Sequence, residues 1–159
     1  MSAQSSPCRL LVIDDDESML RLVATILDLQ FKDEFEVVAY ADPIDALAEI
    51  EQGKCDVILT DLEMPNVSGI DILKAAKARN PFSQVILLTG HSTHEFVLAA
   101  LEGGAFDYLL KPIEICDPIE EVPLVKLLAQ ALKRRKRWQH ALAGTWGQTR
   151  NQNVSTADS

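Results

Sequence analysis

Short apolar runs alternate with segments of helical periodicity along this chain, and the alternation predicts βα units around a parallel sheet. Residues 9–13, 36–39, 57–60, 85–89 and 108–110 read as strands. All but the second are dominated by Leu, Val and Ile, as expected of strands covered on both faces. Between them, Met19, Leu22, Val23, Ile26 and Leu27 fall on one helical stripe, and Leu98 and Leu101 begin another. Asp42 followed by Pro43 supplies an N-cap and a first-turn proline for a helix through Ile50. A further helix begins near Gly69 and ends at Asn80 and Pro81. Ser92 to Glu95 has the spacing of a capping box, and Gly103 and Gly104 stop the helix it would open. Leu124, Leu127, Leu128, Ala131 and Leu132 place a last helix over 122–143. The pattern thus predicts five strands and five helices, an α/β doubly wound sheet with helices on both faces.

At 159 residues the chain has room for one domain, and its 47% hydrophobic and 25% charged residues are ordinary for a globular one. The parts are expected to be an N-terminal tail over 1–8, a domain over 9–143 with an extended basic last helix, and a polar tail or linker start over 144–159. That tail is too short for a DNA-binding output module. Charge is segregated: residues 1–132 carry −14, and residues 133–159 carry +5. An acidic body argues against direct nucleic-acid binding by the domain. No run is long enough for a transmembrane span, and the first residues are not signal-like, so the expected location is cytoplasmic. Cys8, Cys55 and Cys116 have no metal-ligand spacing and read as reduced, buried thiols.

In an open parallel sheet, ligands bind beyond the carboxyl ends of the strands. Asp14, Asp15 and Asp16 follow the first predicted strand, Asp61 follows the third, Thr89 ends the fourth and Lys111 follows the fifth. Asp14 to Asp16 alone would pass for a solvated loop; the convergence on one rim is what gives them meaning. Crowded carboxylates need a cation, and hard oxygen donors with room for water suit Mg²⁺. Thr89 and Lys111 supply a hydroxyl and a point positive charge, both suited to phosphoryl oxygens. Asp61, the lone acid at its strand end, is the candidate nucleophile toward phosphorus, with Met64, Pro65 and Gly69 allowing a tight loop after it.

The run Leu10 to Asp16, Asp61-Leu62-Glu63-Met64-Pro65 with Gly69, Leu88-Thr89-Gly90 and Tyr108-Leu109-Leu110-Lys111-Pro112 resembles the receiver domain of two-component response regulators. Asp15, Asp61, Thr89 and Lys111 follow one another at intervals of 46, 28 and 22 residues, in the family's order. The resemblance implies a flavodoxin-like strand order, 2-1-3-4-5, and a phosphorelay role. Asp61 would be the phosphoacceptor, taking its phosphoryl group from a sensor histidine kinase or phosphotransfer protein and forming an aspartyl phosphate. Asp15 would ligate Mg²⁺ directly, Asp14 would help hold it, and the Glu63 backbone carbonyl would complete the protein ligands with Asp61. Thr89 and Lys111 would close on the phosphoryl group, Tyr108 would act as the switch aromatic, and the Lys111–Pro112 bond would be cis. Glu63 and His91 occupy the variable positions that tune phosphoryl lifetime, and Gly90 stands where the family commonly has Ala.

The implied output is a conformational switch in signal transduction, not enzymatic turnover, with a homodimer through the fourth helix, fifth strand and fifth helix. The rival from another class is a Mg²⁺-dependent phosphohydrolase with an aspartyl-phosphate intermediate. Periodicity does not separate Tyr108 as a switch from Tyr108 as a core aromatic. Lys133, Arg134, Arg135, Lys136 and Arg137 remain open between a solvated helix face, a membrane-surface or nucleic-acid contact, docking on an acidic partner, and salt bridges in a dimer.

Overall fold

The computed structural model describes residues 6–91 and 93–154, with side chains through residue 144. Among the described residues, β1 (Cys8–Ile13), β2 (Phe35–Tyr40), β3 (Val57–Asp61), β4 (Gln84–Thr89) and β5 (Asp107–Leu110) form one parallel sheet in the order β2-β1-β3-β4-β5. Helices α1 (Glu17–Gln30), α2 (Pro43–Glu51), α3 (Gly69–Arg79), α4 (His94–Glu102) and α5 (Pro123–Val154) connect and follow the strands, with a single 3₁₀ turn at Ile119–Glu121. The expected doubly wound order is the observed one.

The two sheet faces are covered for a topological reason. Between β1 and β2 the chain steps one way across the sheet; every later crossover steps the other way. Since such crossovers are right-handed, α1 lies on the face opposite α2, α3 and α4. On the latter face Leu11, Ile13, Ile58, Val85 and Leu87 pack with Ala46 and Ile50 of α2, Ile72, Leu73 and Ala76 of α3, and Ala100 of α4. Leu10, Val12, Leu59, Ile86 and Leu88 point the other way and are equally buried, as are Met19, Val23, Ile26 and Leu27 of α1. Strands β1, β3 and β4 are therefore continuous apolar runs. Edge strand β2 is more exposed, which explains its weaker hydrophobic signal.

Local chemistry sets the helix starts. Asp16 caps α1 by accepting from the Ser18 backbone N–H at 2.9 Å. Asp42 does the same for α2 through Ile44, with Pro43 in the first turn. Helix α3 opens on a reciprocal capping box of Ser68 and Asp71. The expected box at Ser92 to Glu95 is not what starts α4: Thr93 is the N-cap and accepts from Phe96, so position N3 holds no carboxylate to reach back. Ser92 itself lies outside the described residues, as do residues 1–5 of the expected tail and 155–159.

The chain divides into two compact units, Met1–Leu127 and Leu128–Ser159. Helix α5 starts at Pro123 and runs to Val154, past Ala143, where a polar tail was expected. The segment 144–154 lacks proline, the residue that breaks a helix outright, although Gly144 and Gly147 lower its helix propensity. Cys8 and Cys55 are buried, but Cys116 is exposed, because it lies in the long β5–α5 connection and not in a strand or helix. Burial pushes the Cys55 thiol up to about 11.

Gly69 fixes how closely α3 approaches the end of β3. A Cβ there would lie 2.6 Å from the Asp61 carbonyl oxygen and 2.9 Å from the Leu62 Cα, both backbone atoms that have nowhere to go. The Gly69 N–H also donates to the Leu62 carbonyl at 2.9 Å. A Cβ at Gly90 would meet nothing within 4 Å. Urea denaturation should accordingly find Gly69→Ala destabilised by about 1–3 kcal/mol and Gly90→Ala within about 0.5 kcal/mol of the parent. Equal effects of the two would refute the close-approach account.

Candidate functional site

Sheet register brings the ionisable residues level. Ile13 pairs with Thr60, Asp61 with Leu88 and Thr89 with Leu110, so Asp14, Asp61, Thr89 and Lys111 end their strands at one rim. The ladders persist slightly beyond: the Leu62 N–H donates to the Leu88 carbonyl at 2.8 Å and the Lys111 N–H to the Thr89 carbonyl at 2.7 Å. Both bonds hold the backbone on either side of the site in place.

Asp14 is fully buried. One of its carboxylate oxygens accepts from the Asp16 backbone N–H at 2.9 Å, the other from the Lys111 ammonium at 2.7 Å. The same Lys111 Nζ lies 3.3 Å from Asp61 Oδ2. One cation therefore serves two carboxylates, contributed by residues 97 and 50 positions away in the chain. Burial raises the Asp61 carboxyl above its ordinary value and the Asp14 charge adds to that; Lys111 and the Glu63 backbone N–H pull the other way and are outweighed. For Lys111, burial alone would lower the ammonium, but the hydrogen bond and charge of Asp14, then of Asp61, hold it above normal.

Asp14, Asp15 and Asp61 each present a carboxylate oxygen within 4.8 Å of the other two, a donor set able to hold a metal ion. All three donors are hard oxygens, and the exposure of Asp15 leaves room for water, which fits Mg²⁺. With both Asp14 oxygens already engaged, Asp15 and Asp61 are the better placed direct ligands. Glu63 is exposed, and its backbone N–H, not its side chain, faces Asp61.

The remaining sequence candidates divide. The Thr89 hydroxyl is at the rim but turned into its own loop, donating to the His91 carbonyl at 2.7 Å and accepting from the His91 N–H at 3.1 Å. Tyr108 is not a core aromatic: it is 40% exposed on edge strand β5. A cavity of only about 10 Å³ separates Thr89, Tyr108, Phe96 and Val97, too small for a phenol ring. His91 is exposed beside the rim, and the Lys111–Pro112 bond is cis, as the resemblance implied. Asp16, which the sequence grouped with the acids, is a helix cap. The sequence signal was there: an acid one residue before Glu17-Ser18 and an apolar helical stripe.

Comparison with known proteins bears on the same residues. A family model described as a response regulator receiver domain matches residues 10–122. The regulatory protein AtoC of Escherichia coli is 32% identical over 139 residues, covering 87% of this chain and 29% of that protein. A protein-glutamate methylesterase/protein-glutamine glutaminase of Rhizobium etli is 37% identical over 110 residues, covering 68% of this chain and 31% of that protein. This chain thus spans about three-tenths of the length of these curated relatives. Among solved structures, a response regulator receiver domain protein from Clostridium thermocellum superposes with a TM-score of 0.70 at 31% identity, over 82% of this chain and 98% of that one.

The raised Asp61 carboxyl has a measurable consequence. A carboxyl whose folded value exceeds its unfolded one opposes folding while ionised, and the penalty fades as pH falls through the folded value toward the unfolded value of about 3.9. In metal-free buffer, Asp61→Asn should therefore melt above the parent at neutral pH, with the difference closing as pH approaches about 4. Thermal melts that show no gap at neutral pH, or a gap that is constant with pH, would contradict this assignment.

Proposed function

Because the chain belongs to the response regulator receiver domain family, we propose that it accepts a phosphoryl group on Asp61 and uses it to switch conformation in a two-component signalling pathway. The observation that carries the reading is the Asp14, Asp15 and Asp61 oxygens within 4.8 Å of one another, with the Lys111 ammonium 3.3 Å from Asp61. The donor is a sensor histidine kinase or phosphotransfer protein, and the site of action is the cytoplasm. Among the described residues no helix is long and apolar enough to cross a membrane.

In the transfer, a carboxylate oxygen of Asp61 forms a bond to phosphorus while the N–P bond of the donor phosphohistidine breaks and its electron pair stays on the imidazole. Asp15, Asp61 and the Glu63 backbone carbonyl would hold Mg²⁺, and Asp14 would help hold it. When bound, the ion neutralises charge that builds on the phosphoryl oxygens. Lys111, already between the two carboxylates, pairs with one phosphoryl oxygen. Thr89 gives up its bond to the His91 carbonyl and donates to another. Water later attacks phosphorus, which returns the carboxylate and releases inorganic phosphate.

The switch follows from what Thr89 leaves behind. Its rotation opens the space toward Tyr108, whose exposed ring moves inward, and α4 and β5 shift between two populations. Output is altered binding by that surface, and a homodimer through the fourth helix, fifth strand and fifth helix is its symmetric form. The chain acts as a signalling phosphoacceptor and not as an enzyme with its own substrate.

Acetyl phosphate with Mg²⁺ should add one phosphoryl group, located on Asp61 by peptide mass spectrometry. Chelating the metal, or Asp61→Asn, should abolish the label, and Lys111→Ala should lower its yield. Repeated turnover of small phosphoesters that survives Asp61→Asn would instead establish the phosphohydrolase reading.

A further inference from the structure

Helix α5 contains seven Lys and Arg residues and no Asp or Glu, and five of the seven are consecutive at 133–137. The usual partners of a basic helix turn, acids three or four residues away, are therefore missing. Lys133, Arg134, Lys136 and Arg137 are exposed, and Arg135 is half-buried. Lys133, Lys136, Arg137 and His140 recur at the i, i+3, i+4, i+7 spacing of one helix face, about 10 Å long. Among the described residues no ion pair engages Lys133, Lys136 or Arg137. Three like charges this close repel one another unless an anion lies across them.

The chemistry of the rest of the turn selects among anions. A lipid surface needs an apolar face that inserts beside the basic one. Here Leu128, Ala131 and Leu132 are already buried. Trp138 is half-buried under the Arg134 guanidinium, which lies 4.9 Å from its ring centre. That leaves Leu142 as the one exposed large aliphatic side chain described after residue 127. A nucleic-acid duplex needs no apolar face. It carries one negative charge per ~1.7 Å of axis, about six along the length of this basic face. Arg137 on this face carries a planar guanidinium fork, which grips phosphate through two parallel hydrogen bonds.

Against the expectation that the domain over 9–143 makes no direct nucleic-acid contact, which rested on the acidic residues 1–132, we propose that the basic face of α5, Lys133 to His140, docks the phosphate backbone of a double-stranded nucleic acid. The contact reads no sequence, because phosphates carry none. The −14 on residues 1–132 repels the same backbone, so contact is confined to this turn.

The test uses the full chain and a fluorescent DNA duplex of random sequence, with anisotropy read between about 50 and 200 mM salt. Mg²⁺ and phosphodonor are left out, so the outcome is independent of Asp61. The parent should bind with a salt dependence that the triple variant K133Q/K136Q/R137Q loses. Three lost phosphate contacts should flatten the log–log slope by about 2.7, so that over this range the parent weakens roughly 40-fold more than the variant. Glutamine keeps helix propensity, and circular dichroism confirms that the helix survives. The charge-preserving K133R/K136R should bind like the parent. Equal slopes for parent and triple variant would overturn the proposal. So would absence of DNA binding at the lowest salt, including the case in which the parent binds phosphatidylserine vesicles or an acidic protein instead.

Discussion

A single ammonium group between two acids governs this molecule's active rim. Asp14 is shut away from water, and Asp61 is nearly so, yet both lie close enough to repel. Removing either from solvent is costly unless a charge or donor replaces the lost water. Lys111 does so for both, at 2.7 and 3.3 Å, and the Asp16 backbone N–H satisfies the second oxygen of Asp14. What remains is an incompletely neutralised group of three carboxylates, open to solvent at Asp15. A metal ion held among these three oxygens would supply the positive charge the group lacks.

That rim exists because of parallel topology. Every strand runs the same way, so every strand ends on the same side, and the loops that follow carry the chemistry while the strands carry the core. The apolar packing on both faces of β1, β3 and β4 makes their ends rigid, and the ladder bonds past Asp61 and into Lys111 extend that rigidity to the functional side chains. Gly69 lets α3 crowd the Asp61 backbone without displacing it. Thr89 and Tyr108 are the exceptions. The Thr89 hydroxyl is bonded only within its own loop and the Tyr108 ring sits exposed on an edge strand, so both side chains can be rearranged at little cost to the core.

The charge distribution separates two physical tasks. The acids of residues 1–132 give the body a field that attracts cations, whereas Lys133, Lys136 and Arg137 of α5 are exposed and, among the described residues, engaged by no ion pair. The two fields carry opposite signs, and each suits a different ligand: a divalent ion at the rim, a polyanion at the helix.

Much of this was legible in the chain itself. Continuous Leu, Val and Ile runs marked the buried strands, Asp42 with Pro43 marked the start of α2, and the acids, hydroxyl and lysine following successive strands marked the rim. These signals are local, because periodicity and capping depend on residues within a few positions of each other. The sequence determined which residues are at the strand ends, and their order determined the family. Tertiary structure alone decided that Lys111 reaches Asp14 across 97 positions, that Thr89 is bonded to its own loop, that Tyr108 faces out, that Thr93 rather than Ser92 begins α4, and that Cys116 is exposed. Each of those depends on where distant backbone segments come to rest and on how much space packing leaves, quantities that no short window of sequence contains.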